Sequence, residues 1–312
     1  MQGDSSGTRV ANTSGVTTFQ YVVSRPKCGA ACREQQSLCA YQVKWSINAH
    51  MHPGSVTSAR ASREHATFVR TLKAQGAVLA TVPFLHGAYD SVFSKDNAII
   101  VERPNGELHG LLARPRHKER QVEQAPRARQ LMALGVSFAE STRAFIEGGD
   151  VVVLPGVNGA FMGYGFRSSF GAAHDLERFL GRGVTPIELH DPRFYHLDMA
   201  LSVLDDGTAL VCEEALSPKG MRAVQTHPRV RSLLRIPLRE ALDFGANLVQ
   251  VGRNIVFGAN APFLERSLSS RGYVVHRVPL EQFHHGGGSA ACLVSKVHRQ
   301  KSPLPRTALV AA

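Results

Sequence analysis

The chain has 312 residues, 43% of them hydrophobic, which suits a globular protein with one large core or two ordinary domains. Its 36 Lys and Arg outnumber 25 Asp and Glu, a formal charge of +11. The excess lies in Arg114 to Arg129 and in the last residues, without interleaved aromatic rings to stack bases, so a solvated basic surface is expected and no nucleic-acid partner. No apolar run approaches the roughly 18 residues of a membrane span, so no membrane partner is expected either.

Residues 1–18 are rich in Gly, Ser and Thr and lack the ordered zones of a secretory signal. They are expected to be a disordered lead, followed by a single catalytic domain over 19–298 and a disordered basic tail over 299–312. Five cysteines, at 28, 32, 39, 212 and 292, are an odd number and point to reduced thiols in a cytoplasmic protein. Cys28, Cys32 and Cys39 lack the C-x2-C pairing of a zinc site, and unpaired thiols are expected there.

Ala59 to Gln75 has the apolar spacing of a helix, with Ala61, Phe68, Val69 and Leu72 on one side and Gly76 as its stop. A strand at Ala77 to Val82 follows. The helix-then-strand unit recurs: a basic helix to Leu134 then Gly135 to Phe138, and Ala172 to Leu180 then Gly183 to Leu189. Two more copies end in Leu233 to Leu238 and Gly272 to Leu280. Between them lie expected strands at Asn97 to Glu102, Val151 to Leu154 with Ala160 to Met162, Leu201 to Leu204 with Ala209 to Cys212, and Leu248 to Val251 with Asn254 to Phe257. Asp205-Asp206-Gly207 and Val251-Gly252-Arg253 are the hairpin turns. Five such units at intervals of about 40 to 60 residues indicate an internally repeated α/β architecture.

Chemistry-bearing residues fall between these elements. Cys292 follows the run Gly286-Gly287-Gly288, and a histidine and carboxylates occur upstream in Glu147-Gly148-Gly149-Asp150 and His196-Leu197-Asp198. A cysteine that meets a histidine and a carboxylate is a candidate nucleophile. Taken singly, Cys292 equally suits a buried core thiol, His196-Leu197-Asp198 a surface turn, and Asp90 and Asp96 loop caps.

The ordered set resembles the guanidino-group modifying superfamily of arginine deiminases, dimethylarginine dimethylaminohydrolases and amidinotransferases. The likeness covers about Tyr21 to Val297 through Ile47-Asn48 with Met51, Asp90-Ser91-Val92-Phe93 with Asp96, Arg120 with Glu123, Glu147-Gly148-Gly149-Asp150, Gly163 with Arg167, His196 with Asp198, and the glycine run with Cys292. The resemblance implies a five-bladed α/β propeller of ββαβ units, a small-molecule guanidino substrate, and neither cofactor nor metal. It implies Cys292 as nucleophile, His196 as acid and base, and Glu147 as the group that orients His196. Asp96 and Asp198 would hold the guanidinium by charge-assisted hydrogen bonds, Asp90 would contact substrate beside it, and Arg120 and Arg167 would grip an α-carboxylate.

By that resemblance the leading function is hydrolysis at the guanidino carbon of arginine or an N-substituted arginine, giving citrulline and ammonia or an amine. The alternatives are an amidinotransferase, against which Glu147 weighs because those enzymes tend to carry aspartate there, and a non-catalytic binding protein. Two departures touch the rim: Ala49-His50 stand where Pro-Trp is common, and Ala291 where an arginine is frequent.

Overall fold

Among the described residues the strands fall into five groups of three that are all paired in one way. The computed structural model describes residues 19–30, 32, 36–139, 142–157 and 159–300. The lead at 1–18 and residues 301–312 of the tail, expected to be disordered, lie outside the described residues. In each group an antiparallel pair is followed by a helix and then by a strand parallel to the inner member of the pair. A parallel return of this kind needs a crossover longer than a hairpin, and the helix provides it.

β1 (Tyr21–Ser24) leads through α1 (Ser58–Ala74) to β2 (Leu79–Val82), its parallel neighbour. β3 (Ala98–Glu102) and β4 (Leu108–Leu112) pair antiparallel, and α2 (Lys118–Gln121) and α3 (Gln124–Met132) lead to β5 (Val136–Phe138). β6 (Val151–Val153), β7 (Ala160–Tyr164), α4 (Ala172–Leu180) and β8 (Val184–Glu188) repeat the pattern. So do β9 (Leu201–Val203), β10 (Thr208–Val211), α5 (Pro218–Thr226) and β11 (Ser232–Arg235). After α6 (Leu238–Leu242) come β12 (Val249–Val251), β13 (Asn254–Phe257), α7 (Pro262–Ser269) and β14 (Val274–Arg277). α8 (Glu281–His284) then leads to β15 (Val294–Arg299), which pairs antiparallel with β1 and parallel with β3. The last strand thereby completes the first group and joins it to the second in one six-stranded sheet.

Local chemistry accounts for the boundaries. In α1 the face Ala61, Phe68 and Leu72 is buried, and the chain leaves the helix at Gly76 with φ 89°. Gly207 and Gly252, at φ 85° and 59°, turn the β9–β10 and β12–β13 hairpins, where a left-handed residue is needed. Tyr41 stacks on Phe283 at 5.1 Å, and Phe93 meets both rings edge-on.

The basic stretch is not uniformly solvated. Arg114, Arg116 and Arg129 are exposed, but Arg120 and Arg127 are buried. Arg127 donates to Ser24 Oγ, Asn97 Oδ1 and the Ser91 carbonyl, tying α3 to the β1 group. Arg299, expected to open the tail, is instead the end of β15, where its Nε donates to Glu102 at 2.8 Å. No helix among the described residues is long and apolar enough to cross a membrane.

Candidate active site

The repeat itself assembles the site. Just ahead of the strand that pairs antiparallel with the middle strand of each group stands a polar residue or pair: Asp96 before β3, Glu147 and Asp150 before β6, His196 and Asp198 before β9, Asn247 before β12, and Cys292 before β15. Three of these approaches are single 3-10 turns, Ser94–Asn97, Gly148–Asp150 and Leu197–Met199, which bring consecutive side chains inward over a short path.

Two glycines allow those turns to meet. A Cβ on Gly148 would stand 2.0 Å from the Lys95 carbonyl oxygen, and one on Gly149 would stand 2.3 Å from His196 Nδ1 and 2.9 Å from Asp96 Oδ1. The Gly149 amide donates to Asp96 Oδ1 at 3.0 Å. Only a residue without a side chain permits this approach. The later glycine run is required for a similar reason, since added Cβ atoms at Gly286 and Gly288 would strike the Tyr41 hydroxyl and the Phe93 ring.

His196 is held from both sides of its ring. Nε2 lies 3.2 Å from Glu147 Oε2, while Nδ1, which has no hydrogen-bond partner among the described residues, faces Asp96 Oδ1 at 3.7 Å. Burial alone would strip its proton, but Asp96, Asp150 and Glu147 outweigh it and raise the pKa to about 9. Glu147 is fully buried yet remains well below the usual carboxylate range, because burial is overcome by Arg167 and His196. Asp150 accepts the Leu197 amide at 3.0 Å, fixing the turn that carries His196; burial raises its own pKa to about 7.

Cys292 is 2% exposed. The Asn247 side chain clamps it: Nδ2 donates to Cys292 Sγ at 3.2 Å, and Oδ1 accepts the amides of Ala291 and Cys292 at 2.9 and 3.3 Å. Burial, then Asp198 and Asp96, push the thiol well above its ordinary pKa, with Lys95 opposing them. The resting sulfur is therefore a thiol whose ionisation requires positive charge nearby.

The other expected site residues separate by environment. Asp198 is buried and pairs with Lys95 Nζ at 2.6 Å. Asp90 accepts from Trp45 Nε1 at 2.7 Å, and burial lifts its pKa to about 6. Arg120 gives Nε and Nη2 to Glu123 at 2.6 and 3.1 Å and Nη1 to Asp96 at 3.1 Å. Arg167 gives Nη1 to Glu147 and Nη2 to the Ile47 carbonyl, each at 3.0 Å, with its guanidinium 4.9 Å over the Tyr195 ring. Both arginines expected to grip a substrate carboxylate are thus engaged with protein acceptors.

Lys95 and Asn247 escape sequence reasoning. Asn247 sits in Gly245-Ala246-Asn247, an ordinary turn signal, and carries no mark of its partner 45 residues away. Lys95 adjoins Asp96, and a lysine between two polar residues reads as a solvated side chain.

With this geometry in view, the chain can be set beside known proteins. Residues 40–299 match the family model described as N,N dimethylarginine dimethylhydrolase, eukaryotic. The chain is 30% identical over 263 residues to an N(G),N(G)-dimethylarginine dimethylaminohydrolase of Mycobacterium tuberculosis, covering 83% of each chain. It is 28% identical over 261 residues to the bifunctional arginine dihydrolase/ornithine cyclodeaminase AgrE of Nostoc, covering 82% of this chain and 36% of that one. Among solved structures it resembles the product-bound N-terminal domain of ArgZ, an arginine dihydrolase of the cyanobacterial ornithine–ammonia cycle. That match has a TM-score of 0.80 and 25% identity, and covers 90% of this chain and 98% of the other.

Proposed function

The chain belongs to the N,N-dimethylarginine dimethylhydrolase family, and from that premise we propose that it hydrolyses the guanidino group of arginine or an N-substituted arginine through a covalent adduct on Cys292. The five like-paired strand groups are read as the blades of an α/β propeller forming one catalytic domain, with the cleft residues at the blade ends.

A guanidinium is a delocalised cation whose carbon is a poor electrophile until it is fixed. Asp96 and Asp198 supply the fixing charges. As the cation settles between them it offsets the two carboxylates that, with burial, hold the thiol protonated, so Cys292 loses its proton to water and becomes nucleophilic. Sulfur bonds to the guanidino carbon. The proton on His196 Nδ1 passes to the departing nitrogen, the C–N bond breaks, and an amine leaves an S-linked thiouronium adduct. Neutral His196 then takes a proton from water. The resulting hydroxide adds to the carbon, the C–S bond breaks, the added hydroxyl gives its proton to solvent, and thiolate and a neutral ureido product are released.

One observation carries the reading: His196 is clamped through Nε2 on Glu147, leaving Nδ1 uncommitted beside Asp96. Arg120, saturated by Glu123 and Asp96, acts as a positioning residue. Arg167 holds Glu147 and the Ile47 carbonyl through one donor on each terminal nitrogen, and its remaining donors are the ones proposed for an α-carboxylate. Mass spectrometry after incubation with arginine, methylated arginines and acceptor amines tests the proposal. A citrulline product with an adduct on Cys292 is expected. Amidino transfer to an added amine in place of citrulline would move the chain to the transferases, and neither product nor adduct would remove the catalytic reading.

A further inference from the structure

Cys28, Cys32 and Cys39, expected from the sequence as unpaired thiols, meet His86 from a distant part of the chain, and the four donor atoms all lie within 4.8 Å of one another. Cys39 Sγ is 3.4 Å from both Cys32 Sγ and His86 Nδ1, and Cys32 Sγ is 4.0 Å from that nitrogen. Zinc bonds of about 2.3 Å to sulfur and about 2.0 Å to nitrogen make tetrahedral edges of about 3.8 Å between sulfurs and about 3.6 Å from sulfur to nitrogen. The two sulfur–nitrogen separations lie on either side of that edge and the sulfur–sulfur separation falls a few tenths of an ångström short of it, so small side-chain adjustments suffice. A ligand set of three soft thiolates and one imidazole selects zinc over magnesium or calcium.

The scaffold is built around the cluster. An isolated bridge pairs Lys27 with Ala40, and the Cys28 amide donates to the Cys39 carbonyl at 2.7 Å, which sets these two cysteines opposite each other. The Cys32 amide donates back to Gly29 at 3.0 Å, turning Cys32 towards the same point. The fourth ligand arrives from the connection after β2, which is tied to the cysteine segment by the Gly87 amide donating to the Leu38 carbonyl at 3.0 Å.

We infer that Cys28, Cys32, Cys39 and His86 form a closed, four-coordinate zinc site that staples the segment before α1 to the connection carrying Asp90 and Asp96. Zinc binding displaces up to three thiol protons to solvent and leaves the centre with one net negative charge. With all four positions filled by protein the metal has no place for substrate, so its work is structural. The site lies outside the Cys292 chemistry and goes beyond the proposed hydrolase.

The test uses the full chain, purified reduced and without chelators. Elemental analysis is expected to find one zinc per chain, and cobalt(II) exchanged for it to show thiolate charge-transfer absorption with tetrahedral d–d bands. His86→Ala and Cys39→Ser are each expected to lose the metal, while Cys292→Ser keeps it. Chelation should lower the melting temperature of the unmodified chain by several degrees, with recovery on adding zinc, and leave His86→Ala unmoved. His86 is half-buried, so that variant serves should Cys39→Ser fail to fold. A folded, reduced chain that takes up no zinc would overturn the inference. So would metal that stays in His86→Ala and Cys39→Ser but leaves in Cys292→Ser.

Discussion

Lys95 Nζ lies 2.6 Å from Asp198 Oδ2, so one of the two carboxylates proposed to hold the substrate cation already faces a cation of the chain itself. Burial works against the charge on Lys95, but Asp198, and further off Cys292 and Asp96, keep its pKa above that of an ordinary lysine. The side chain keeps 20% of its surface exposed. A substrate guanidinium bound as proposed would compete with Lys95 for Asp198, while Lys95 would favour the Cys292 thiolate. On that proposal one ammonium group would pull binding and chemistry in opposite directions.

Lys95→Met is therefore expected to lower KM for an arginine-type substrate by about tenfold, equivalent to about 1.4 kcal/mol, and to lower kcat as the thiolate loses a nearby cation. Steady-state kinetics separate the two effects. A raised KM would mean that Lys95 helps to hold substrate.

Gly149→Ala places a methyl group 2.3 Å from His196 Nδ1 and 2.9 Å from Asp96 Oδ1. The imidazole must shift, and a displacement of this size costs on the order of 100-fold in kcat. Measured kcat on a folded variant decides; an unchanged value would show that His196 does not need its present position.

Cys292→Ser is expected to abolish turnover with folding retained, since a serine hydroxyl at this site cannot replace a thiolate. Cys212 is the control. It is equally buried, in the core of the β10 group, but its sulfur lies 3.4 Å from Glu214 Oε2, which would accept from a serine hydroxyl. Cys212→Ser should retain activity, and product assays on both variants check the pair.

The acid role proposed for His196 requires its proton, and its raised pKa extends the protonated form up to about pH 9. Activity should fall as pH rises through that value. Glu147→Gln removes one of the charges that hold the proton, so the alkaline limb of kcat/KM should move to lower pH. The linked stability has the same sign: it is complete below the ordinary histidine value of 6.5 and is lost as pH rises through about 9. An unmoved limb in Glu147→Gln would separate Glu147 from His196.

The two buried arginines should fail differently. Arg120→Ala leaves Glu123 and Asp96 buried without their cation, a loss of about 3–5 kcal/mol in stability, and should leave the ratio of arginine to agmatine turnover unchanged. Arg167→Ala should narrow that ratio by removing the fork proposed for the α-carboxylate. Denaturant melts and the paired kcat/KM values read the two outcomes, and an unchanged ratio in Arg167→Ala would remove its substrate role.

Elements whose signals are local were legible in the sequence. α4 runs over Ala172–Leu180 as its apolar spacing indicates, and the hairpins turn at Gly207 and Gly252, where backbone conformation calls for glycine. The ordered motifs likewise singled out Cys292, His196 and Glu147, of which the structure brings His196 and Glu147 into contact at 3.2 Å. β1 and β15 were missed because each is stabilised by a partner from the opposite end of the chain, with Val22 opposite Ser295. β4 was missed because Gly110 interrupts its pattern; the gap is filled by Phe138 and Val136 from β5, which a Cβ at Gly110 would strike.

The sequence by itself determined residue types, their order, and the periodicities of helix and strand, because those depend on neighbours a few positions apart. Only the tertiary structure decided which charges meet. It turned Arg120 and Arg127 from an expected basic surface into interior cations, set Lys95 on Asp198, placed Asn247 on Cys292, and brought His86 to three cysteines. The strength of those pairings depends on distance and desolvation, and both arise only when segments far apart in the chain are packed together.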